Sequence, residues 1–197
     1  MKPKIIQQGA EAIITLKDNQ ITKYRVKKSY RLPELDKKLR LRRTKSETKI
    51  INKLKKIIPV PEIFKTDDEN IFMQYIKGKK LSEHLEKLDY KKLCKQIGEN
   101  LTKLHNKDII HGDLTTSNMI YHNNKVFFID FGLGFHSKKI EDKAVDLHLL
   151  KQALNAKHYK IADKAFQIII KNYKPEKYKL IIKRIKIIEK RGRYKGH

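Results

Sequence analysis

Apolar and polar residues alternate from Lys4 to Val26 in three short runs, KIIQQ, AIITL and QITKYRV, separated by GAEA and KDNQ. Alternation broken by Gly, Asp and Asn predicts three antiparallel strands with tight turns. The period then lengthens. Leu35, Leu39, Ile50, Ile51 and Leu54 recur at spacings near three and four, which predicts helix from Pro33 to Lys56, as one piece or as two meeting near Thr44. Pro59 and Pro61 close it. EIFKT and IFMQYI, on either side of DDEN, predict two more strands, and Gly78 ends this half.

In the second half, Leu93, Ile97, Leu101 and Leu104 keep one helix face apolar up to the KD turn before Ile109. HGDLTTSN interrupts the pattern, and a hairpin follows as NMIY, the turn HNN, and KVFFID. After DFGLG the rest is predicted helical on three apolar series: Leu147, Leu150 and Leu154; Ile161, Ala165, Ile168 and Ile169; Tyr178, Ile181, Ile185 and Ile188. There is no internal repeat and no Gly/Ser linker. The short IKGKK segment marks the boundary between a strand-rich N-terminal unit, 1–77, and a mostly α-helical C-terminal unit, 78–190, followed by a basic tail, 191–197. The predicted class is α+β.

A chain of 197 residues is long enough for one sizeable core or two small lobes. No apolar run approaches the length that spans a bilayer, and Met1 to Gln8 lacks the apolar centre of a secretory signal, so a soluble, cytoplasmic protein without membrane contact is expected. The single cysteine, Cys94, excludes an internal disulfide and is read as a packed helix residue. Lys and Arg outnumber Asp and Glu by 47 to 22, giving a formal charge of +25. That excess points to a polyanion such as RNA, held mostly through its backbone, because few aromatic residues interleave the basic ones. Life at high temperature also enriches Lys and Glu, but without such an imbalance.

The chemistry gathers around the predicted hairpin. Asp113 and Asn118 lie in HGDLTTSN before it, and Asp130 stands at its end in IDFG. Phosphoryl transfer needs a carboxylate to take the proton of the attacking hydroxyl, and a carboxamide and a carboxylate to hold Mg²⁺ (or Mn²⁺) on the phosphates of ATP. The order H-x-D-L-x-x-x-N followed by D-F-G fits that need, with Asp113 as proton acceptor and Asn118 and Asp130 as metal ligands. Either motif alone is weak, since Asp and Asn are common in loops. Together and in order they are specific. His111 is read as a packing and hydrogen-bonding residue. Such a site also needs a strand lysine paired with a helix glutamate. ITKYRV offers Lys23, with Lys27 and Lys28 just beyond, and Glu47 is the only acidic residue between Asp36 and Glu62.

Departures from an ordinary protein kinase are equally informative. No G-x-G-x-x-G joins the first two strands, where only Gly9 is present, and Gly112 replaces the arginine of H-R-D. The basic pocket that reads an activation-loop phosphate is therefore missing. About fourteen residues separate Asp130 from the next predicted helix near Ala144, with no A-P-E, too few for a peptide-docking segment.

With these residues in place, the chain resembles the PRPK-type atypical kinases, the small RIO-like kinase and ATPase subunits of the KEOPS (EKC) complex. The resemblance rests on QGAEA at Gln8–Ala12, K-x-R-x-x-K-x-Y-R at Lys23–Arg31, P-x-L-D at Pro33–Asp36 and RTKSE from Arg43. It continues through HGDLTTSN at His111–Asn118, IDFGLGF at Ile129–Phe135, EDKAVDL at Glu141–Leu147 and RGRYK from Arg191, so it spans nearly the whole chain. It implies a minimal bilobal kinase-like fold, Lys23 as the ATP lysine, Glu47 as its helix partner, and Gly9, Ala10 and Glu11 at the phosphate cover. It places Met73, Gln74 and Ile76 at the adenine hinge, with Gln74 and Thr48 where the family has Glu and Ala. Asp146 corresponds to the helix aspartate that anchors the catalytic loop.

The resemblance further implies Mg-ATP hydrolysis with serine autophosphorylation. Its implied partners are an ASKHA-fold transferase that makes N6-threonylcarbamoyladenosine in tRNAs reading ANN codons, a small KEOPS subunit on the N-lobe, and tRNA near the tail from Lys190 to His197. In many archaea the two enzymes are domains of one fused chain. Two other readings compete. A small-molecule kinase of the aminoglycoside or choline type shares H-G-D-x-x-x-x-N but needs an added helical substrate domain. A silent RNA-binding scaffold would need none of Lys23, Glu47, Asp113, Asn118 and Asp130.

Overall fold

The structure, a computed structural model, describes residues 3–9 and 11–193. Five strands form one antiparallel sheet: β1 (Lys4–Gln8), β2 (Ala12–Lys17), β3 (Gln20–Arg25), β4 (Ile63–Thr66) and β5 (Asn70–Gln74), in the order β1-β2-β3-β5-β4. The β2–β3 turn has only Asp18 and Asn19, at φ 48° and 60°. Two left-handed residues make the primed turn whose twist matches that of paired strands, and Asp and Asn tolerate that conformation.

Helix α1 (Pro33–Leu54) is one continuous piece of 22 residues, with no break at Thr44. Its buried stripe runs Asp36, Arg40, Thr44, Glu47, Ile50, Ile51 and Leu54. The first half of that stripe is polar, so apolar periodicity fades there although the helix does not. Asp36 accepts from Arg40 at 2.7 Å, and Arg40 also reaches Glu69 at 2.6 Å. No Gly or Pro lies between Glu34 and Leu54 to interrupt the ladder.

After β5 the chain passes Ile76 and Gly78 into β6 (Lys79–Lys80), which pairs with β8 (Met119–His122). A Cβ on Gly78 would lie 2.4 Å from the Tyr121 carbonyl, so only glycine permits this approach. α2 (Leu81–His84) leads to α3 (Tyr90–Asn106), whose N-terminus is capped by Asp89 accepting from the Lys92 amide. The two-residue strand β7 (Ile109–Ile110) precedes the β8–β9 hairpin, where β9 is Lys125–Phe128 and the turn is again left-handed, at Asn123 and Asn124.

The stretch after DFGLG is not immediately helical: β10 (Phe135–His136) first pairs with β7. α4 (Ile140–Lys157), α5 (Ala162–Asn172) and α6 (Tyr178–Arg193) follow. α3 and α5 meet at Gly98, where a Cβ would lie 2.4 Å from the Ile169 carbonyl. The large core joins Leu93, Ile97, Leu101, Leu147, Leu150, Ile169 and Ile181 to Ile50, Ile51 and Leu54 of α1. The sheet has only a small cluster of its own, Ile21, Ile71 and Met73. Thus α1 packs on the sheet but is rooted in the helical half. Cys94 is buried in that core, where burial pushes its thiol up to about 12, and no helix among the described residues is long and apolar enough to cross a membrane.

Candidate active site

Residues two apart on a strand face the same side. On β3 this places Ile21, Lys23 and Arg25 together, toward α1. Lys23 Nζ donates to Glu47 Oε1 at 2.8 Å and to Asp130 Oδ1 at 2.7 Å, and the Arg25 guanidinium donates to Glu47 Oε2 at 2.5 Å. Lys23, Arg25 and Glu47 are all buried, at 5, 4 and 1% exposure. Burial alone would depress the Lys23 ammonium, but the Glu47 and Asp130 carboxylates outweigh it and raise Lys23 above its ordinary value. For Asp130, burial pushes the carboxyl up, and the Lys23 charge and hydrogen bond more than reverse this, holding it below the usual range. Asp130 has φ 61°, and its Oδ1 also accepts the Gly132 amide at 3.2 Å, which fixes the carboxylate at this sharp bend.

On the other side, Asn118 Nδ2 donates to the Asp113 carbonyl at 2.8 Å and to Asp113 Oδ2 at 2.9 Å. Both partners are acceptors only, so the carboxamide nitrogen must face them and Asn118 Oδ1 faces away. Asp146 holds this loop from beneath: Oδ2 accepts the His111 amide at 2.7 Å and Oδ1 the Gly112 amide at 2.9 Å. His105 stands 3.4 Å from Asp146 Oδ2, and its Nδ1 lies 2.7 Å from the Tyr173 hydroxyl. His111 is buried, and its Nδ1 accepts the Asp113 amide at 3.3 Å, so the proton sits on Nε2, which donates to the Ile129 carbonyl at 3.1 Å. Burial keeps this imidazole below its ordinary pKa, which agrees with the neutral tautomer. His111 is therefore a loop-holding group.

The place of the missing kinase arginine also has a physical reason. Gly112 has φ 79°, and a Cβ there would lie 2.3 Å from the Leu133 carbonyl. The two loops that carry Asp113 and Asp130 pack too closely for any side chain between them.

A cleft of about 250 Å³ lies between the sheet and the β8–β9 hairpin. Lys23, Glu47, Asn118 and Asp130 line it, as do Met73, Gln74 and Ile76. Asp113 is not among its lining residues and is tied to the cleft only by its hydrogen bonds from Asn118. Gly9 and Glu11 are not among its lining residues; Glu11 instead pairs with Arg43 of α1 at 2.5 Å. Ala10 lies outside the described residues, as does the tail beyond Arg193. The cleft adds residues to which the motifs gave no role: Ile14 and Ile21 from the sheet side, Ile120 and Ile129 from the hairpin side, and Lys80 and Ser117 at the edge. Strand geometry carried a signal for some of these. Ile21 is two residues from Lys23, Ile14 is its cross-strand partner, and Ile120 is two residues past Asn118.

The arrangement is a slot with apolar faces and an ionic end, suited to a flat aromatic ring and a chain of phosphates. Its fold matches the solved ternary complex of streptomycin, ATP and APH(2″)-IIa at a TM-score of 0.64 over 96% of this chain and 82% of that one, with 14% identity. That likeness establishes a kinase-like fold. Residues 4–139 match the RIO domain family. The chain is 44% identical to the KEOPS complex subunit Bud32 of Pyrococcus abyssi, over 98% of this chain and 96% of that protein. It is 43% identical, over 96% of its length, to a probable bifunctional tRNA threonylcarbamoyladenosine biosynthesis protein of Methanococcus maripaludis, of which it spans 36%. A Methanobrevibacter smithii protein of the same description matches at 42% identity, again with 36% of its length spanned. By the RIO match and by the near full-length identity to its Pyrococcus relative, the chain belongs to the RIO domain family and, within it, to the archaeal Bud32/PRPK-type subunits of the KEOPS complex.

Proposed function

We propose that the cleft binds ATP with Mg²⁺ (or Mn²⁺) and that the chain moves its γ-phosphate, to water or to a serine or threonine hydroxyl, in support of tRNA threonylcarbamoyladenosine formation. The observation that carries this reading is the meeting of Lys23, Glu47 and Asp130 at one end of the cleft with Asn118 clamped on Asp113 beside it. The adenine ring lies between the apolar faces against Met73, Gln74 and Ile76, and Lys23 takes the α- and β-phosphates.

The oxygens left by the hydrogen bonding fit a hard cation. Asn118 Oδ1 faces away from Asp113, and the Asp130 carboxylate keeps its second oxygen, with its side chain 41% exposed. Asn118 Oδ1 and the Asp130 carboxylate would hold that cation, which when bound would offset charge on the phosphates. Asp113 orients the attacking hydroxyl or water and accepts its proton, while Asn118 and the Asp146-held amides keep that carboxylate in place. Gly9 and Glu11, with Ala10, stand on the connection that would close over the phosphates.

Within KEOPS, the proposed partners are the ASKHA-fold transferase, a small subunit on the sheet half, and tRNA drawn by the +25 charge and the C-terminal tail. The relatives described as bifunctional tRNA threonylcarbamoyladenosine biosynthesis proteins support the link to that modification. The proposed setting is the cytoplasm. The test follows γ-labelled phosphate from ATP with Mg²⁺ for the wild type and Asp113→Ala, alone and with transferase and tRNA. Free phosphate released by the wild type, stimulated by partner and tRNA and lost in the variant, supports a driving ATPase. Label kept on protein makes phosphorylation of a hydroxyl the main reaction, and equal release by both proteins overturns the role of Asp113.

A further inference from the structure

Glu47 is a fully buried carboxylate shared by two cations, each holding a different oxygen. Only one of the two, Lys23, also lines the cleft and also binds Asp130. Arg25 does not line the cleft, and its Nε is buried with no hydrogen-bond partner. Among the described residues its guanidinium is committed to Glu47 alone. A guanidinium stays charged at any pH a protein meets, and its fixed fork holds a carboxylate with little reorganisation.

A nucleotide in the cleft would share the Lys23 ammonium with Glu47, and a cation held by Asp130 would compete for the carboxylate that Lys23 now binds. Were Lys23 the only partner of Glu47, that sharing would weaken the one interaction that permits a charged carboxylate inside the protein, and under-compensating a buried charge is strongly unfavourable. Resting on the proposed binding of nucleotide in the cleft, we propose that Arg25 is a positioning residue: a standing counter-ion of Glu47 that lets Lys23 share its charge with the phosphates while α1 stays in place. Strand geometry supplies the device, since Lys23 and Arg25 are two residues apart on one face of β3 and so reach one carboxylate from neighbouring directions.

Because Arg25 acts through Glu47, its removal changes binding of phosphates and not of the ring. Arg25→Gln is expected to weaken ATP·Mg²⁺ by about tenfold while adenosine affinity changes less than about twofold, and Arg25→Lys restores most of the loss. In an Glu47→Gln background the same Arg25→Gln change is expected to leave ATP affinity unaltered, because no buried charge remains to be matched. Calorimetric titration of ATP·Mg²⁺ and adenosine into the full chain reads all of these. Equal losses for ATP and adenosine, or an undiminished ATP loss in the Glu47→Gln background, would make Arg25 a packing residue only and overturn the assignment. If Arg25→Gln does not fold, the double variant carries the test: ATP affinity equal to Glu47→Gln supports the assignment, and a further loss overturns it. Failure of the wild type to bind either ligand instead removes the nucleotide reading on which it rests.

Discussion

The Asp146 carboxylate accepts the backbone amide of His111 at 2.7 Å, across 35 residues of sequence. Its second oxygen takes the Gly112 amide, so one buried side chain on α4 sets the backbone immediately before Asp113. The loop's position is therefore written on a helix that does not touch the cleft.

Removing this carboxylate strands both amides. Asp146→Ala is expected to lower unfolding free energy by about 3 kcal/mol, the cost of leaving two buried donors without acceptors. Asp146→Asn, which keeps one acceptor oxygen, should lose less. Urea unfolding of both variants decides the matter, and equal stability of Asp146→Ala and the wild type would exclude the anchoring role.

Lys23→Met separates chemistry from stability. Turnover of ATP is expected to fall by about a hundredfold or more, in line with loss of one preorganised charge at a reacting centre. Unfolding free energy should fall by less than about 2 kcal/mol, below the cost of a stranded buried ion, because Arg25 remains on Glu47. Phosphate-release kinetics and thermal unfolding on the same preparation check the two halves together.

Gly112→Ala tests the close approach of the two loops that carry Asp113 and Asp130. A left-handed alanine costs about 1–2 kcal/mol before the contact with the Leu133 carbonyl is counted. A total loss of about 3 kcal/mol is expected, with turnover falling as well. A variant as stable as the wild type would show that the loops are free to part.

Two buried histidines set a pH dependence. Burial holds both His111 and His158 below their ordinary value of 6.5, so they stay neutral in the fold while the unfolded chain gains protons as pH falls past that value. The unfolded state then binds more protons, and stability is lost on the acid side. The melting temperature should drop between about pH 7 and pH 5. His111→Gln, which does not titrate there, should flatten the slope and leave the share owed to His158. Identical slopes for both proteins would remove His111 from the account.

Sequence patterns disclosed the longer strands, the longer helices and two parts of the ionic centre because each depends on local order, a lone Glu47 among basic neighbours and D-F-G at a strand end, while the choice of Lys23 over Lys27 and Lys28 rests on the family motif. Two-residue strands were not legible. β6, β7 and β10 exist only because their partners are brought beside them, and no local pattern of two residues marks such a pairing. The polar half of α1 hid its continuity for the same reason, since Asp36, Arg40 and Glu47 find their partners on other elements or one turn away. The family resemblance implies Glu11 at the phosphate cover, and in the structure its carboxylate pairs with Arg43 of α1. Lys80 enters the cleft through the β6–β8 pairing, which a single lysine in a lysine-rich chain does not announce.

The shared core of α1 and the helical half sets which element carries each partner of the ionic centre. Ile50, Ile51 and Leu54 seat the helix among Leu93, Leu101 and Leu147, while the sheet keeps only a small cluster around Ile21, Ile71 and Met73. Mechanically, Glu47 belongs to the base of the molecule and Lys23 to its cover. The bond between them thus ties the sheet to the helical base at the ionic end of the cleft.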